Sequence, residues 1–348
     1  MKLKQILILS LLLSPLNAVA ESTPEPLSRL IESYKQATPV KRVPPKYPRS
    51  KVKRGQDGWV QLSFVIDEEG KVKDVVPIDH GGSGLFVKSA IRAVEQWQYE
   101  PATANGEAIE QCSNSVQLDF SLGNGAVVGK RFNSLFRKAQ KASDEKDYQE
   151  LSTIIEQMDA LKSLNRTELF WRNFTSITLH RGLQQPKKTY LAVKRTLASS
   201  SVLETIRQGK DIIPMLLKEK FIYEAENELY AKALNTFKSI EKQVPSLVQN
   251  FQPFVEQINE IVKSDRLIAI DAEKSESGVW IHELARNQFA FNNLEGDIHK
   301  LEVRCDRKRS VFTFDINSSW QIPESWGQCT VFVDTANNTK FTLVEMNS

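Results

Sequence analysis

Hydrophobic positions change their spacing three times along the chain, and each change marks a new kind of structure. Val60, Leu62, Phe64 and Ile66 alternate with Gln61, Ser63 and Val65, the period of a strand with one buried face. Asp67-Glu68-Glu69-Gly70 is a hairpin turn, and Val72 to Ile78 reads as the return strand. Gly81-Gly82-Ser83-Gly84 breaks that pattern. Phe86, Ala90, Ala93 and Trp97 then recur at helical spacing, with Ile91 and Val94 widening the stripe and Pro101 ending the helix. The clearest alternation sets Val116, Leu118, Phe120 and Leu122 against Ser115, Gln117, Asp119 and Ser121, and predicts a last strand before Gly123-Asn124-Gly125.

From about 130 to 263 glycine nearly vanishes and helical spacing takes over. Helices are predicted near Phe132–Ser143, Tyr148–Leu161, Thr167–Arg181, Thr189–Ala198, Glu204–Leu217, Ile222–Lys242 and Leu247–Val262. Tyr230, Ala233, Phe237 and Pro245 fall where a tetratricopeptide second helix places such residues, and Tyr190, Ala192 and Leu197 echo them. A repeat array and a plain helical bundle both fit. From Leu267 onward short alternating segments return at Leu267–Ala272, Val279–Leu284, Gln288–Phe291, Ile298–Cys305, Val311–Asp315, Thr330–Asp334 and Phe341–Glu345, the signature of a small β-sandwich.

The N-terminus reads as an export signal. Lys2 and Lys4 precede the apolar run Ile6 to Leu13, and Ala18-Val19-Ala20 supplies a cleavage pattern with Glu21 as the first mature residue. The run is shorter than the roughly 20 residues a membrane span needs. An uncleaved anchor is the alternative. A proline-containing segment follows over 21–44, with one short helix expected around Leu27 to Lys35. Export changes the reading of the three cysteines: Cys305 and Cys329 sit in strand-like segments and are expected to pair, leaving Cys112 as a small buried hydrophobe or a free thiol. The formal charge of +3 argues against nucleic acid as a partner.

Five short motifs then occur in order: Pro45-Lys46-Tyr47-Pro48, Asp57-Gly58-Trp59-Val60, Asp67-Glu68-Glu69-Gly70-Lys71-Val72, Trp97-Gln98-Tyr99-Glu100-Pro101-Ala102 and Asn105-Gly106. With the strands and helix between them, they resemble the TonB C-terminal domain family over roughly 80 residues. Tyr47, Pro48, Gly58, Gly70, Trp97, Tyr99 and Pro101 all have structural work to do: Gly58 and Gly70 at chain reversals, Trp97 and Tyr99 as anchors between helix and sheet. The expected organisation is therefore multidomain: a signal over 1–20, the extended segment over 21–44, an α+β TonB-like domain over 45–123, a helical scaffold over 130–263 and an all-β sandwich over 267–348.

The resemblance implies that the domain binds an extended segment, the TonB box of an outer-membrane receptor or a segment of another envelope protein, by strand addition. The matching strand is Ser115, Val116, Gln117, Leu118, Asp119, Phe120, Ser121 and Leu122. It further implies a periplasmic, non-catalytic adaptor linked to TonB-dependent transport, with the helical region open to a second partner. One alternative is a membrane-anchored transducer coupled to the ExbB–ExbD motor. The cleavable signal and the short segment before the domain stand against that. The other is an envelope scaffold whose edge strand is covered internally.

No catalytic, cofactor or metal site emerges. His80, His180, His282 and His299 show no ligand spacing, and no GxSxG or GxxxxGK[ST] motif is present. His80 beside the glycine turn is expected to be an exposed turn residue. Trp280, Trp320 and Trp326 are expected in a sandwich core in preference to a ligand groove.

Overall fold

Three antiparallel strands form because alternating apolar residues need a common face. β3 (Gly58–Ile66) lies at the centre of the order β4-β3-β8, between β4 (Val72–Gly81) and β8 (Gln111–Phe120). The computed structural model describes residues 34–123, 128–205, 211–272, 279–336 and 338–347. The signal over 1–20 and most of the extended segment lie outside these. Tyr34 and Lys35, expected at the end of a short helix, instead form β1 and pair with β6 (Ala102–Ala104), which also pairs with β7 (Glu107–Ile109).

The inner face of the three-stranded sheet carries Val60, Leu62, Phe64 and Ile66, packed on Phe86, Ala90 and Val94 of α2 (Gly84–Val94). Ser83 caps α2 by accepting from the Leu85 amide. The helix stops at Val94 and does not run on to Pro101. Gln96 and Trp97 donate their amides to Ala93 and Val94 in a final tight turn, and Gln98–Glu100 then form β5 against β2 (Thr38–Lys41). Trp97 therefore reaches the core from beyond the helix, and Pro101 separates β5 from β6. The last strand also lies earlier than expected: it starts at Gln111 and ends at Phe120, leaving Ser121 and Leu122 outside it.

β3 is not a strand with one buried face. Trp59, Ser63 and Val65, on the outward side, are 1 %, 7 % and 0 % exposed. The rest of the chain covers them. Helices fill one end of this face, and the C-terminal sheets fill the other.

The helices form three hairpins: α3 (Lys130–Asp144) with α4 (Tyr148–Asp159), α5 (Arg166–Gly182) with α6 (Pro186–Ala198), and α7 (Ile212–Glu226) with α8 (Tyr230–Gln243). Each hairpin turns through three residues, and the middle one is left-handed although none is glycine: Lys146, Gln184 and Glu228. This is why the predicted helix Ile222–Lys242 is two helices, broken at Asn227–Leu229, while its first turn belongs to α7. The predicted Glu204–Leu217 begins in a 3-10 turn at Ser200–Thr205, and α7 begins only at Ile212. α9 (Val248–Lys263) completes the series.

The C-terminal part holds two four-stranded antiparallel sheets around a shared core. One has the order β10-β15-β12-β13, from Val279–Glu283, Cys329–Thr335, Ile298–Cys305 and Arg309–Phe312. The other has the order β14-β11-β16-β9, from Ser319–Gln321, Gln288–Glu295, Lys340–Met346 and Ile268–Ala272. β14 carries only three residues, too few for a periodic signal. Its Trp320 is buried against Phe289 and Phe291, as core.

Cys305 and Cys329 face each other across β12 and β15 and are joined by a disulfide. By loop entropy, a crosslink over 24 residues contributes about 3 kcal/mol. Replacing both cysteines by serine is expected to lower the thermal midpoint of the C-terminal part, read by calorimetry; an unchanged midpoint would show that the crosslink adds nothing to a core already this closely packed.

Candidate functional site

The candidate site is the free side of β8. Among the described residues β8 has a strand neighbour on one side only, β3, with register pairs from Gly58↔Phe120 to Ile66↔Gln111. A strand edge of ten residues offers unpaired backbone groups to an extended segment. Ser113, Ser115 and Asp119 are exposed, and Val116 and Leu118 are half-buried at the rim of the core.

Two polar side chains of this strand, Gln117 and Asp119, are already engaged. Gln117 donates from Nε2 to the Ala198 carbonyl at the end of α6 (2.8 Å) and accepts from Gln61 (3.0 Å). Asp119 lies 3.0 Å from the Arg166 guanidinium at the start of α5. Phe120 is buried beneath Tyr47 and Phe86. Ser121 donates to the Gly123 carbonyl, and the Leu122 side chain is exposed.

Beneath the end of β8 sits Asp57, a buried carboxylate that opens the Asp57-Gly58-Trp59-Val60 motif and to which the sequence assigned no role. It accepts from the Tyr47 hydroxyl (3.0 Å), the Leu122 amide (3.2 Å) and the Arg166 amide (3.1 Å). Its own amide donates to the Leu164 carbonyl. One side chain thus joins the Pro-Lys-Tyr-Pro motif, the end of the edge strand and the first turn of α5. Burial first, then the Asp57 charge, raises the Tyr47 phenol well above its ordinary pKa, so it remains a donor. An Asp immediately before a strand was the available signal; its partner Arg166 is 109 residues away.

The motif residues act structurally. Trp97 donates from Nε1 to the Val43 carbonyl (2.8 Å), and the Tyr99 hydroxyl accepts from Arg42 (3.2 Å). Pro48 precedes the short helix α1 (Arg49–Val52). Gly70 has φ +77°, and an added Cβ would lie 1.8 Å from the Tyr99 carbonyl oxygen. Gly58, also expected at a chain reversal, has no positive φ: its requirement is space, because a Cβ would fall 2.6 Å from the Phe86 ring.

At the other end of the covered face, Arg304 of β12 donates to the Asp74 carbonyl (3.0 Å), and Arg309 of β13 pairs with the Asp74 carboxylate (2.9 Å). Glu302 holds both arginines and Lys300. Burial pushes its pKa up, but hydrogen bonds from Arg309, Arg304 and Lys300 outweigh this and bring it to about 2. A depressed carboxylate contributes stability above its unfolded pKa of about 4.3 that is lost as pH falls toward about 2. Glu302→Gln is therefore expected to flatten the fall in urea midpoint between those limits. A parallel fall in both proteins would remove Glu302 from the acid response.

Cys112 is buried, and burial followed by the Glu110 charge pushes its thiol up to about 12, as suits a small apolar side chain more than a nucleophile. His282 is buried with Nε2 2.8 Å from Glu345, beside Arg286, which caps the end of α9 through the Ile261 and Ser264 carbonyls. His80 lies in β4, His180 in α5 and His299 in β12. Among the described residues no three His, Cys, Asp or Glu side chains are grouped to hold a metal, and no helix is long and apolar enough to cross a membrane.

These features define a small α+β domain, one helix on an antiparallel sheet with an open edge among the described residues. Residues 43–122 match the family described as Gram-negative bacterial TonB protein C-terminal. Protein TonB of Pseudomonas aeruginosa is 30% identical over 71 residues, 20% of this chain. The match spans 21% of that relative, about a fifth of its length. The solution structure of the Pseudomonas aeruginosa TonB C-terminal domain is 25% identical, covering 25% of this chain and 88% of that one, with a TM-score of 0.23. The TonB2 protein of Vibrio anguillarum is 40% identical, covering 25% and 83%, with a TM-score of 0.22. TonB-family proteins are non-catalytic energy-transducing or adaptor proteins of the envelope, and their domains interact with outer-membrane TonB-dependent receptors.

Proposed function

We propose that this protein is a non-catalytic periplasmic adaptor that takes an extended segment of an outer-membrane TonB-dependent receptor, or of another envelope protein, onto the free side of β8. The observation that carries this is the unpaired edge in a domain of the TonB C-terminal family. Backbone hydrogen bonds would supply most of the affinity. Val116 and Leu118 would meet alternate apolar side chains of the added strand. Gln117 and Asp119, held by α6 and α5, would shape the site without reading sequence.

The helical hairpins and C-terminal sheets would serve as a fixed mount for this site and as surfaces for a second partner. A groove of about 450 Å³ between the α5–α6 turn and α7, floored by Tyr190 and Tyr223, is the candidate there. The covered-scaffold alternative draws support from the engaged outward side chains, but no described strand lies on the far side of β8. The transducer alternative turns on 1–20, outside the described residues.

Calorimetry with the whole chain and TonB-box peptides tests the proposal. Saturable binding that is lost when Leu118→Asp places a charge at the edge is the expected result. Binding unaffected by that change would move the site away from β8, and no binding to any such peptide would remove receptor capture.

A further inference from the structure

The segment leading into the TonB-like domain has a charge pattern unlike the rest of the chain. Seven of the fourteen residues from Lys41 to Arg54 are Lys or Arg and none is acidic, although the whole chain carries only +3. Everything outside this segment is therefore net negative.

The fold gathers these charges on one side. Val43 accepts from Trp97 just beyond α2, Lys46 accepts from Ser89 in its middle, and Tyr47 packs on Phe86 near its start. The segment thus runs antiparallel along the flank of α2, and α1 follows at the far end. Lys88 and Arg92, exposed and one turn apart on α2, flank Ser89 and add two more cations. Among the described residues none of these nine cations forms an ion pair; Lys51 reaches the neutral Gln56 amide, and Arg42 lies over the Trp97 and Tyr99 rings and donates to the Tyr99 hydroxyl. Elsewhere the surface arginines and lysines are commonly paired, as in Arg172–Asp159, Arg181–Glu219 and Arg266–Glu228.

Two aliphatic side chains are exposed within the same surface: Val52 of α1 (46 %) and Leu85 of α2 (42 %). This surface belongs to the α2 side of the sheet, opposite the face covered by α5, α6, β12 and β13.

We propose that this surface is a docking site for an anionic phospholipid bilayer. A bilayer interface accepts clustered cations and exposed aliphatic tips together, whereas an acidic polypeptide would gain little from Val52 and Leu85. The site is independent of strand capture, since β8 presents its edge at the rim of the sheet and not on the α2 surface.

The test is flotation of the whole chain with vesicles of phosphatidylcholine containing about 30% phosphatidylglycerol, at about 0.05 M and about 0.5 M salt. Binding at low salt, absent with pure phosphatidylcholine and lost at high salt, is expected. Each cation removed should lower partitioning about five-fold, so neutralising Arg49, Lys53 and Lys88 should cost about a hundred-fold, and Arg49→Glu, Lys53→Glu and Lys88→Glu together, which also add three anions, should cost more than that. Lys138→Glu, Lys242→Glu and Lys263→Glu, an equal charge change on α3, α8 and α9, should lose far less. The milder set Arg49→Gln, Lys53→Gln and Lys88→Gln serves if the reversals impair folding, judged by circular dichroism. Equal losses from both sets of reversals, or binding indifferent to lipid charge, would overturn the proposal. Retention on polyglutamate without vesicle binding would overturn it too, and assign the surface to an acidic polypeptide.

Discussion

Residues 34–123 cut from the chain are expected to be much less stable than the same residues within it. Excision uncovers the outward face of β3, where Trp59 and Val65 are 1 % and 0 % exposed. Returning two such side chains to water costs about 1.5–3 kcal/mol each, or about 3–6 kcal/mol together. That is a large part of the about 5–15 kcal/mol that holds a domain folded. It also breaks the Arg309–Asp74 pair and the Gln117–Ala198 hydrogen bond. Hydrogen exchange at the β3 amides reports the loss directly. Protection in the excised fragment should fall by two or more orders of magnitude, on the order of 10²–10⁴. Equal protection would mean that the helical and C-terminal regions only lean on a self-sufficient domain.

The second large effect is expected at Asp57. Asp57→Ala leaves the Tyr47 hydroxyl and the amides of Leu122 and Arg166 without their acceptor in a site where Asp57 itself is 3 % exposed. Each buried donor left unmatched costs about 1–3 kcal/mol, so the total is about 3 kcal/mol or more. Asp57→Asn keeps the shape and one acceptor and should fall between. The change should also free the end of β8 and the chain after it, seen as faster proteolysis around Gly123. A loss below about 1 kcal/mol would show that water replaces the carboxylate with little penalty.

The sequence was most legible where one period ran long enough to be counted. Val60 to Ile66 and Val116 to Phe120 gave the sheet, Phe86, Ala90 and Ala93 gave the helix, and the ordered motifs around Tyr47, Gly70 and Trp97 gave the family. Local chemistry explains the rest of that success: Gly70 needs its positive φ, and Ser83 its place before α2. Misreadings arose where distant residues decide. Trp59 and Val65 sat on the supposedly solvated side of β3, and only a covering partner far along the chain accounts for them. Trp97 continued the helical spacing after the helix had ended. The hairpin turn at Glu228 has no glycine to mark it, so two helices read as one. The edge strand itself was found, but the engagement of Gln117 by Ala198 lies 81 residues away and leaves no local trace.

The most direct test of strand capture is hydrogen exchange along β8 in the whole chain, with and without a saturating TonB-box segment of an outer-membrane receptor. The proposal predicts that amides within Gln111–Phe120 exchange faster than those of β3 in the free protein and become protected when the segment is added. Unchanged exchange at β8 with the segment bound, or full protection of that strand before anything is added, would contradict it.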